Sequence, residues 1–447
     1  MRIIVVGGNA AGPAAAAKAK RVNPDAEIII YEAGSFISTG TCEMPYLLNR
    51  TIDDYKKIVF FTPESFFEKK GVDVKINHQV AKINRSNKTV TVVNRNTNET
   101  YTDRYDRLIL TTGSRTKYPP FYKDEIKNLF TLKTVSDYLK IENYGLDSIK
   151  NIVIIGSGYI GLECADVLKS INKNVTIIEK ECDPFPSADV EIRKLILDSI
   201  KSKDIEFIGS AGNLKFIESD GLFKAVKVHG RIIETDAVIV SIGFEPNNSL
   251  AVGAGIKIGK FGGIIVDKRL RTSDQFIYAA GDNVEVENFI TRKPDYMPIA
   301  TIAHQQGHIA GANAAGENNH FGSVVKNISV KLFDSIYVQV GLNSSEASTI
   351  FPGSISISTV SNNLIHVIPQ SRKIFGKLIF DKNSKRIFGA SFLGDKEVVG
   401  YGDMISAFIK NKLLIDNLSG IDFSYTPPAA PFINILSLLE RKAKEIS

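Results

Sequence analysis

The sequence predicts an α/β protein: two doubly wound, parallel-sheet units followed by a C-terminal α+β unit. Three observations carry this. A pattern of apolar strand, glycine turn, helix, second strand and closing acid occurs twice in the chain. Further short apolar strands that stop at glycine follow each copy. From about residue 326 the pattern changes to alternating strands with two helices. At 447 residues the chain is long enough for two or three cores.

The first copy is RIIVVGGNAAGPAAAAKAKR, followed by AEIIIYE, which ends at Glu32. The second is KNIVIIGSGYIGLECADVLKS, followed by NVTIIEK, in which Glu179 closes the strand. Both apolar runs are short and β-branched, as strands buried on both faces must be. The Ala- or Leu-rich stretches after them are long enough for a crossover helix. RLILTTGS (107–114) and AVIVSIGFEPN (237–247) are two more strands that run into glycine, and QFIYAAGDN (275–283) stops at Gly281-Asp282. In the last unit ISVKLFDSIYVQVGL, KIFGKLIFD and RIFGASFLG read as alternating strands, with helices expected over 400–412 and 432–445.

Composition narrows the function. The net charge of +6 is spread along the chain without a dense basic tract, which suits anionic ligands and argues against nucleic acid. Three cysteines, Cys42, Cys164 and Cys182, are too few and too odd for a disulfide scaffold. They form no CxxC and no metal-ligand spacing, so no metal is expected. No run is long enough to cross a bilayer, and the N-terminus lacks the apolar stretch and cleavage site of a signal peptide. A cytoplasmic protein without a membrane partner is expected.

In a strand–turn–helix unit the first glycine permits the tight turn and the third lets helix and strand pack closely. The helix N-terminus then faces a pyrophosphate. Gly156, Gly158 and Gly161 with Glu179 meet every requirement of a dinucleotide site of the Rossmann type. In the first copy Gly7, Gly8 and Gly12 are present but Asn9 replaces the middle glycine, so the backbone must approach a phosphate with a side chain attached. An ordinary glycine-rich turn is the alternative there, and Glu32 tips the reading towards nucleotide binding. Carboxylates at both strand ends repel a 2′-phosphate, which favours NADH, while Lys180 beside Glu179 keeps NADPH open. Two dinucleotide sites in one chain suggest a resident flavin beside a transient hydride donor.

In this order the motifs GGNAAG, Glu32, TTGS, GSGYIG, SIGFEPN and AAGD resemble the pyridine nucleotide–disulfide oxidoreductase family over nearly the whole chain. The resemblance implies an FAD domain made of 1–115 and 245–325, an NAD(P)H domain at 116–244, and a dimerisation domain at 326–447, hence a homodimer. It places Gly7, Gly8, Asn9, Ala10, Ala11, Gly12, Glu32, Ala33, Val80, Thr112, Gly113, Gly281 and Asp282 along FAD. Asp282 would bind the ribitol. Gly156, Gly158, Tyr159, Ile160, Gly161, Glu163, Glu179 and Gly243 would hold the nicotinamide nucleotide, with Tyr159 and Glu163 on the nicotinamide side of the flavin.

Most of that family carries a CxxxxC pair, which this chain lacks. ISTGTCEMPYLL places one cysteine, Cys42, before Pro45-Tyr46. This resembles the coenzyme A disulfide reductase, NADH oxidase and peroxidase branch, in which one thiol cycles through a mixed disulfide, persulfide or sulfenic acid. Ala10 stands where the peroxidases and water-forming oxidases carry histidine. Lys18, Arg21, Ser38, Thr41, Lys70 and His304 fall where the reductases contact coenzyme A. Tyr425 in SYTPP matches a tyrosine that reaches the partner subunit's site. Glu43-Met44, Val367-Ile368 and Ile433-Asn434 depart from the family pattern. Glu43 puts a carboxylate beside the thiol and should raise its pKa.

The resemblance therefore implies a chain that passes electrons from NAD(P)H through FAD to Cys42. The acceptor would be coenzyme A disulfide or a related persulfide or polysulfide. Oxygen, as in an NADH oxidase, is the second reading, and a flavin-bearing redox sensor without turnover is the third. Simpler readings stand beside the site residues: Cys42 as a small packed hydrophobe, His304 and Arg21 as plain helix residues, Tyr425 as an interface packing group. Cys164 is expected in the core and Cys182 in a loop.

Overall fold

The β-branched runs of the two copies become the centres of two five-stranded parallel sheets in the computed structural model, which describes residues 1–446. In the first sheet the order is Ile277–Ala279, Arg107–Leu110, Arg2–Val6, Glu27–Tyr31, Asp73–Lys75. The second repeats it: Leu129–Phe130, Ala237–Val240, Asn151–Ile155, Asn174–Ile178, Glu206–Ile208. Both are α/β units of one topology. Each also carries a three-stranded antiparallel meander, spanning His78 to Arg104 in one and Lys215 to Glu234 in the other. The chain leaves the first unit and returns to it through one antiparallel pair, Ser114–Thr116 with Phe244–Pro246.

The alanines of the first helix, Ala11–Val22, have a packing reason. The helix Ala300–Ala314 crosses it so closely that a Cβ on Gly307 or Gly311 would run into the carbonyls of Ala11 and Ala15. Only small residues let two backbones approach like this.

The C-terminal unit is α+β, an antiparallel sheet ordered Asn327–Leu332, Ser335–Gly341, Ile387–Gly394, Lys373–Asp381, Ser354–Asn362. Its two long helices run Glu397–Lys410 and Ile435–Ile446, so the expected spans of 400–412 and 432–445 were each displaced by up to three residues, and a short helix, Ser344–Ile350, was not foreseen. The edge strand Ser354–Asn362 was not foreseen. Its SISISTVSN alternates serine with isoleucine at a sheet edge, where an apolar run is not required.

One core joins the three units. Met44, Leu47 and Leu48, just after Cys42, pack with Phe130 and Leu132 of the second unit and with Leu332 and Tyr337 of the C-terminal sheet. That shared core sets where Cys42 stands. Among the described residues no helix is long and apolar enough to cross a membrane.

Candidate active site

Both glycine turns are built alike. Gly7 (φ 109°) and Gly156 (φ 99°) occupy backbone conformations that L side chains rarely adopt. A Cβ on Gly12 would strike the carbonyl of Gly7, and one on Gly161 the carbonyl of Gly156. The helices that follow, Ala11–Val22 and Tyr159–Ser170, have neither a side-chain cap nor an acid in their first turns. Their free N–H groups and positive dipole ends face outward, ready for an anion. Gly158 has open space where its side chain would be, and so do Gly113 and Gly243.

The Asn9 side chain is used locally: its Oδ1 accepts from the Thr39 amide (2.8 Å), tying the turn to the segment that carries Ser38, Thr41 and Cys42. Ala10 takes a positive φ of 31° to start the helix, and Ser38 takes 49°.

The closing acids hold their turns. Glu32 accepts from the amides of Gly8 and Gly34, each at 2.6 Å, beside Ala33. Glu179 is buried and accepts from Ser157 and Glu181.

Cys42 lies in a 3-10 turn, Thr41–Glu43, that runs into the short helix Met44–Leu48. Cys42 is exposed as a residue, yet the surrounding protein is close enough to desolvate its thiol. Enclosure is the largest cause of its raised pKa, and the carboxylates of Glu43, Glu163 and Asp282 add to it, opposed by a hydrogen bond with Thr41. The expected effect of Glu43 is present but second to desolvation. Glu163, on the helix after the second turn, is itself pushed up to about 7 by burial and by Asp166, against the pull of Lys331. Cys42, Glu163 and Asp282, far apart in sequence, thus share one electrostatic field.

Asp282 brings in residues that the sequence did not single out. Ser114 Oγ donates to its Oδ2 (2.9 Å), and Lys133 Nζ donates to Ser114 Oγ (2.8 Å). Lys133 stands 3.9 Å from Asp282 and 3.9 Å from the centre of the Phe244 ring. Burial lowers its pKa, and the charges of Asp282, Asp137 and Cys42 resist the lowering. Thr112 Oγ1 donates to the Asn247 carbonyl (2.6 Å) and accepts from Asn283 Nδ2 (3.1 Å).

On the other side of the second turn, Leu132, Gly158, Tyr159, Ile160, Gly243 and Phe244 line one recess. Tyr159 packs edge-on against Phe185 (4.9 Å), and burial pushes its hydroxyl up to about 12.

Lys18, Arg21, His304 and His308 gather where the two crossed helices meet. The His304 and His308 rings lie 4.6 Å apart and tilted to each other by 53°, and burial and the charges of His304, Arg21 and Lys18 lower the His308 pKa. Lys70 lies over the Phe61 ring (5.9 Å), next to Gly71, where Lys20 packs. Val80 is a buried core residue of its meander. Tyr425 is exposed, with its ring against Phe432 (5.4 Å); among the described residues no hydrogen bond or ring contact joins it to the Cys42 recess of its own chain. Cys164 is fully buried and Cys182 exposed.

The first turn fits a flavin dinucleotide. A Cβ on Gly7 would strike the Thr111 carbonyl and one on Gly12 the Gly7 carbonyl, while Gly113 leaves open space, so bare backbone lines the place where a pyrophosphate would lie.

Two anion-ready turns flanking one thiol define a two-dinucleotide oxidoreductase. Residues 1–307 match the family described as pyridine nucleotide-disulphide oxidoreductase, and the chain belongs to that family. It is accordingly an oxidoreductase that uses FAD and NAD(P)H. The structure of an NAD-dependent persulfide reductase from A. fulgidus is 32% identical, with a TM-score of 0.95 over 100% of this chain and 83% of that one. An NADH oxidase from Methanocaldococcus jannaschii is 29% identical over 99% of this chain and 98% of its own length. A coenzyme A disulfide reductase from Staphylococcus aureus is 27% identical over 99% of this chain and 100% of its own.

Proposed function

We propose that the chain reduces coenzyme A disulfide, or a coenzyme A-linked persulfide or polysulfide, at the expense of NAD(P)H, with Cys42 as the reacting thiol. The observation that carries this is the place of Cys42: an exposed cysteine, held by a short helix packed into the core shared by the three units, that feels the charges of Glu163 from the second turn's helix and of Asp282 from the first unit. In this reading residues 1–115 with 245–325 hold FAD through Gly7, Gly8, Ala11, Gly12, Glu32, Thr112, Gly113, Gly281 and Asp282. Residues 116–244 hold the nicotinamide nucleotide through Gly156, Gly158, Tyr159, Ile160, Gly161 and Glu179. When bound, the pair supplies two electrons from the nucleotide to the sulfur.

The thiolate of Cys42 attacks one sulfur of the disulfide; the new S–S bond leaves a mixed disulfide on Cys42 and releases the first thiolate, which takes up a proton. Two electrons and a further proton release the second thiol. The balance is NAD(P)H, H⁺ and RSSR going to NAD(P)⁺ and two RSH. Lys18, Arg21 and Lys70 offer cations to the phosphates of the acyl carrier, with the His304 ring beside them. Ser38 and Thr41 flank the sulfur.

The test is NADH oxidation with coenzyme A disulfide, polysulfide and oxygen as rival acceptors, for wild type and Cys42→Ser. The variant keeps its flavin and loses disulfide reduction at least about a hundredfold. Full disulfide reductase activity in it refutes the assignment. The likeness to an NADH oxidase favours oxygen as the second reading; Ala10 in place of a histidine speaks against a dedicated oxidase.

The same proposal makes the protein a cytoplasmic homodimer. Exposed Val360, Val367, Tyr425, Phe432 and Ile433 give the C-terminal unit an apolar outer surface that a second copy would cover. Sedimentation equilibrium decides this, and a monomer at micromolar concentration refutes it.

A further inference from the structure

The two turns differ at their second residue. The first has Gly8, whose missing side chain is forced, since a Cβ there would press on Ile37 and Glu32. The second has Ser157, which is fully buried. Its amide (2.8 Å) and its hydroxyl (2.7 Å) both donate to Oε2 of Glu179. The same hydroxyl accepts from the Phe185 amide (3.1 Å), which also reaches the Ser157 carbonyl (3.2 Å). A hydroxyl has one proton, so its direction is settled: the proton goes to Glu179 and a lone pair to Phe185.

Two consequences follow from that single hydroxyl. Glu179 is locked with Oε2 against the turn, while Oε1 takes only the Glu181 amide (3.1 Å) and keeps lone-pair capacity for a further donor. No lysine or arginine forms an ion pair with it among the described residues, so its charge stands uncompensated at the strand end. Arg193, on the following helix, is spent on the carbonyls of Pro186 and Ala188. The second consequence concerns Phe185, a non-glycine residue at φ 57°, held there by its bond to Ser157. Its ring lies between Tyr159 (4.9 Å) and Tyr337 (5.0 Å).

We propose that Ser157 is a specificity-determining positioning residue for the pyridine nucleotide. It fixes the Glu179 carboxylate where a ribose 2′-hydroxyl can donate to it and a 2′-phosphate is repelled. Through Phe185 it also braces Tyr159 at the other end of the same site. The inference rests on the assignment of the second turn to NAD(P)H. It adds a residue that acts on the ligand only through two others.

The experiment is anaerobic stopped-flow reduction of the bound flavin by NADH and by NADPH, read as a dissociation constant and a limiting rate for each. It needs no knowledge of the final acceptor. In Ser157→Ala the NADH-to-NADPH ratio of second-order rate constants falls about tenfold, the loss of one hydrogen bond to a charged group. Most of that change lies in the NADH dissociation constant. Glu179→Gln lowers the ratio as well, and adding Ser157→Ala to it moves the ratio no further. A ratio within twofold of wild type in Ser157→Ala overturns the proposal, as does a fully additive effect in the double variant. Should Ser157→Ala lose its flavin, Ser157→Gly removes the same hydroxyl and carries the test. Wild-type flavin that neither nucleotide reduces would instead refute the nucleotide assignment itself, a different result from an unchanged ratio.

Discussion

Glu163 allows a quantitative test of the recess. Its carboxyl titrates at about 7 instead of 4.5, first because it is buried and then because Asp166 is near. The folded protein therefore holds a proton there that the unfolded chain gives up. Stability linked to that proton is fully present below pH 4.5, is lost as pH rises towards 7, and stays lost above it. The shift of 2.5 units corresponds to roughly 3 kcal/mol in all, of which about 2.5 kcal/mol falls between pH 5 and pH 8. Solvent at the open edge of the recess screens this, to about half. Glu163→Gln, neutral at every pH, removes the penalty. Relative to wild type it should gain about 1–2.5 kcal/mol more at pH 8 than at pH 5. Urea unfolding at the two pH values, followed by tyrosine fluorescence because the chain has no tryptophan, measures the difference. A gain that is the same at both pH values refutes the raised carboxyl and the shared field built on it.

Three other outcomes are expected. Glu43→Gln removes a carboxylate that raises the Cys42 pKa, so the pH profile of iodoacetamide alkylation at Cys42 moves to lower pH; a profile that stays or moves up rejects the electrostatic reading. Lys377→Met strands buried Asp189, which Lys377 approaches at 3.5 Å across the boundary with the C-terminal sheet, and costs about 3–5 kcal/mol in urea unfolding. Adding Asp189→Asn recovers most of that loss, and no recovery would mean that packing, not charge, was removed. Gly12→Ala forces a side chain onto the Gly7 carbonyl and abolishes flavin retention, whereas Gly161→Ala keeps the yellow colour and weakens nucleotide binding, as absorbance and nucleotide titration can establish.

What could be read in advance follows from the range of each interaction. The two turns were legible because glycine, β-branched strand and closing acid lie within about thirty residues and answer to local rules of backbone and charge. Glu43 was legible for the same reason, being next to the thiol. The Asp282 cluster was not. Ser114 and Asp282 are 168 residues apart, and Lys133 reaches them from the second unit. A lysine before Thr134, the N-cap of a helix, carries no signal of its own. The bond from the Thr39 amide to Asn9 was not legible either, since it spans 30 residues. Ser157 stands at a position that the glycine motif leaves free; its meaning depends on Phe185 returning to it across 28 residues.

The placement of Cys42 follows from packing before chemistry. Met44, Leu47 and Leu48 lock the short helix after the thiol into a core shared by all three units, and Arg50 at its end pairs with Glu142 of the second unit (2.7 Å). The sulfur cannot shift without disturbing the helices that bear Glu163 and the second turn. Three carboxylates then oppose its ionisation, and Lys133 is a mostly buried cation that feels its charge. A thiol so placed ionises less readily than a free one unless countercharge arrives. The cost of forming the thiolate is thus tied to how Glu163 and Asp282 are neutralised, that is, to events at the two turns on either side.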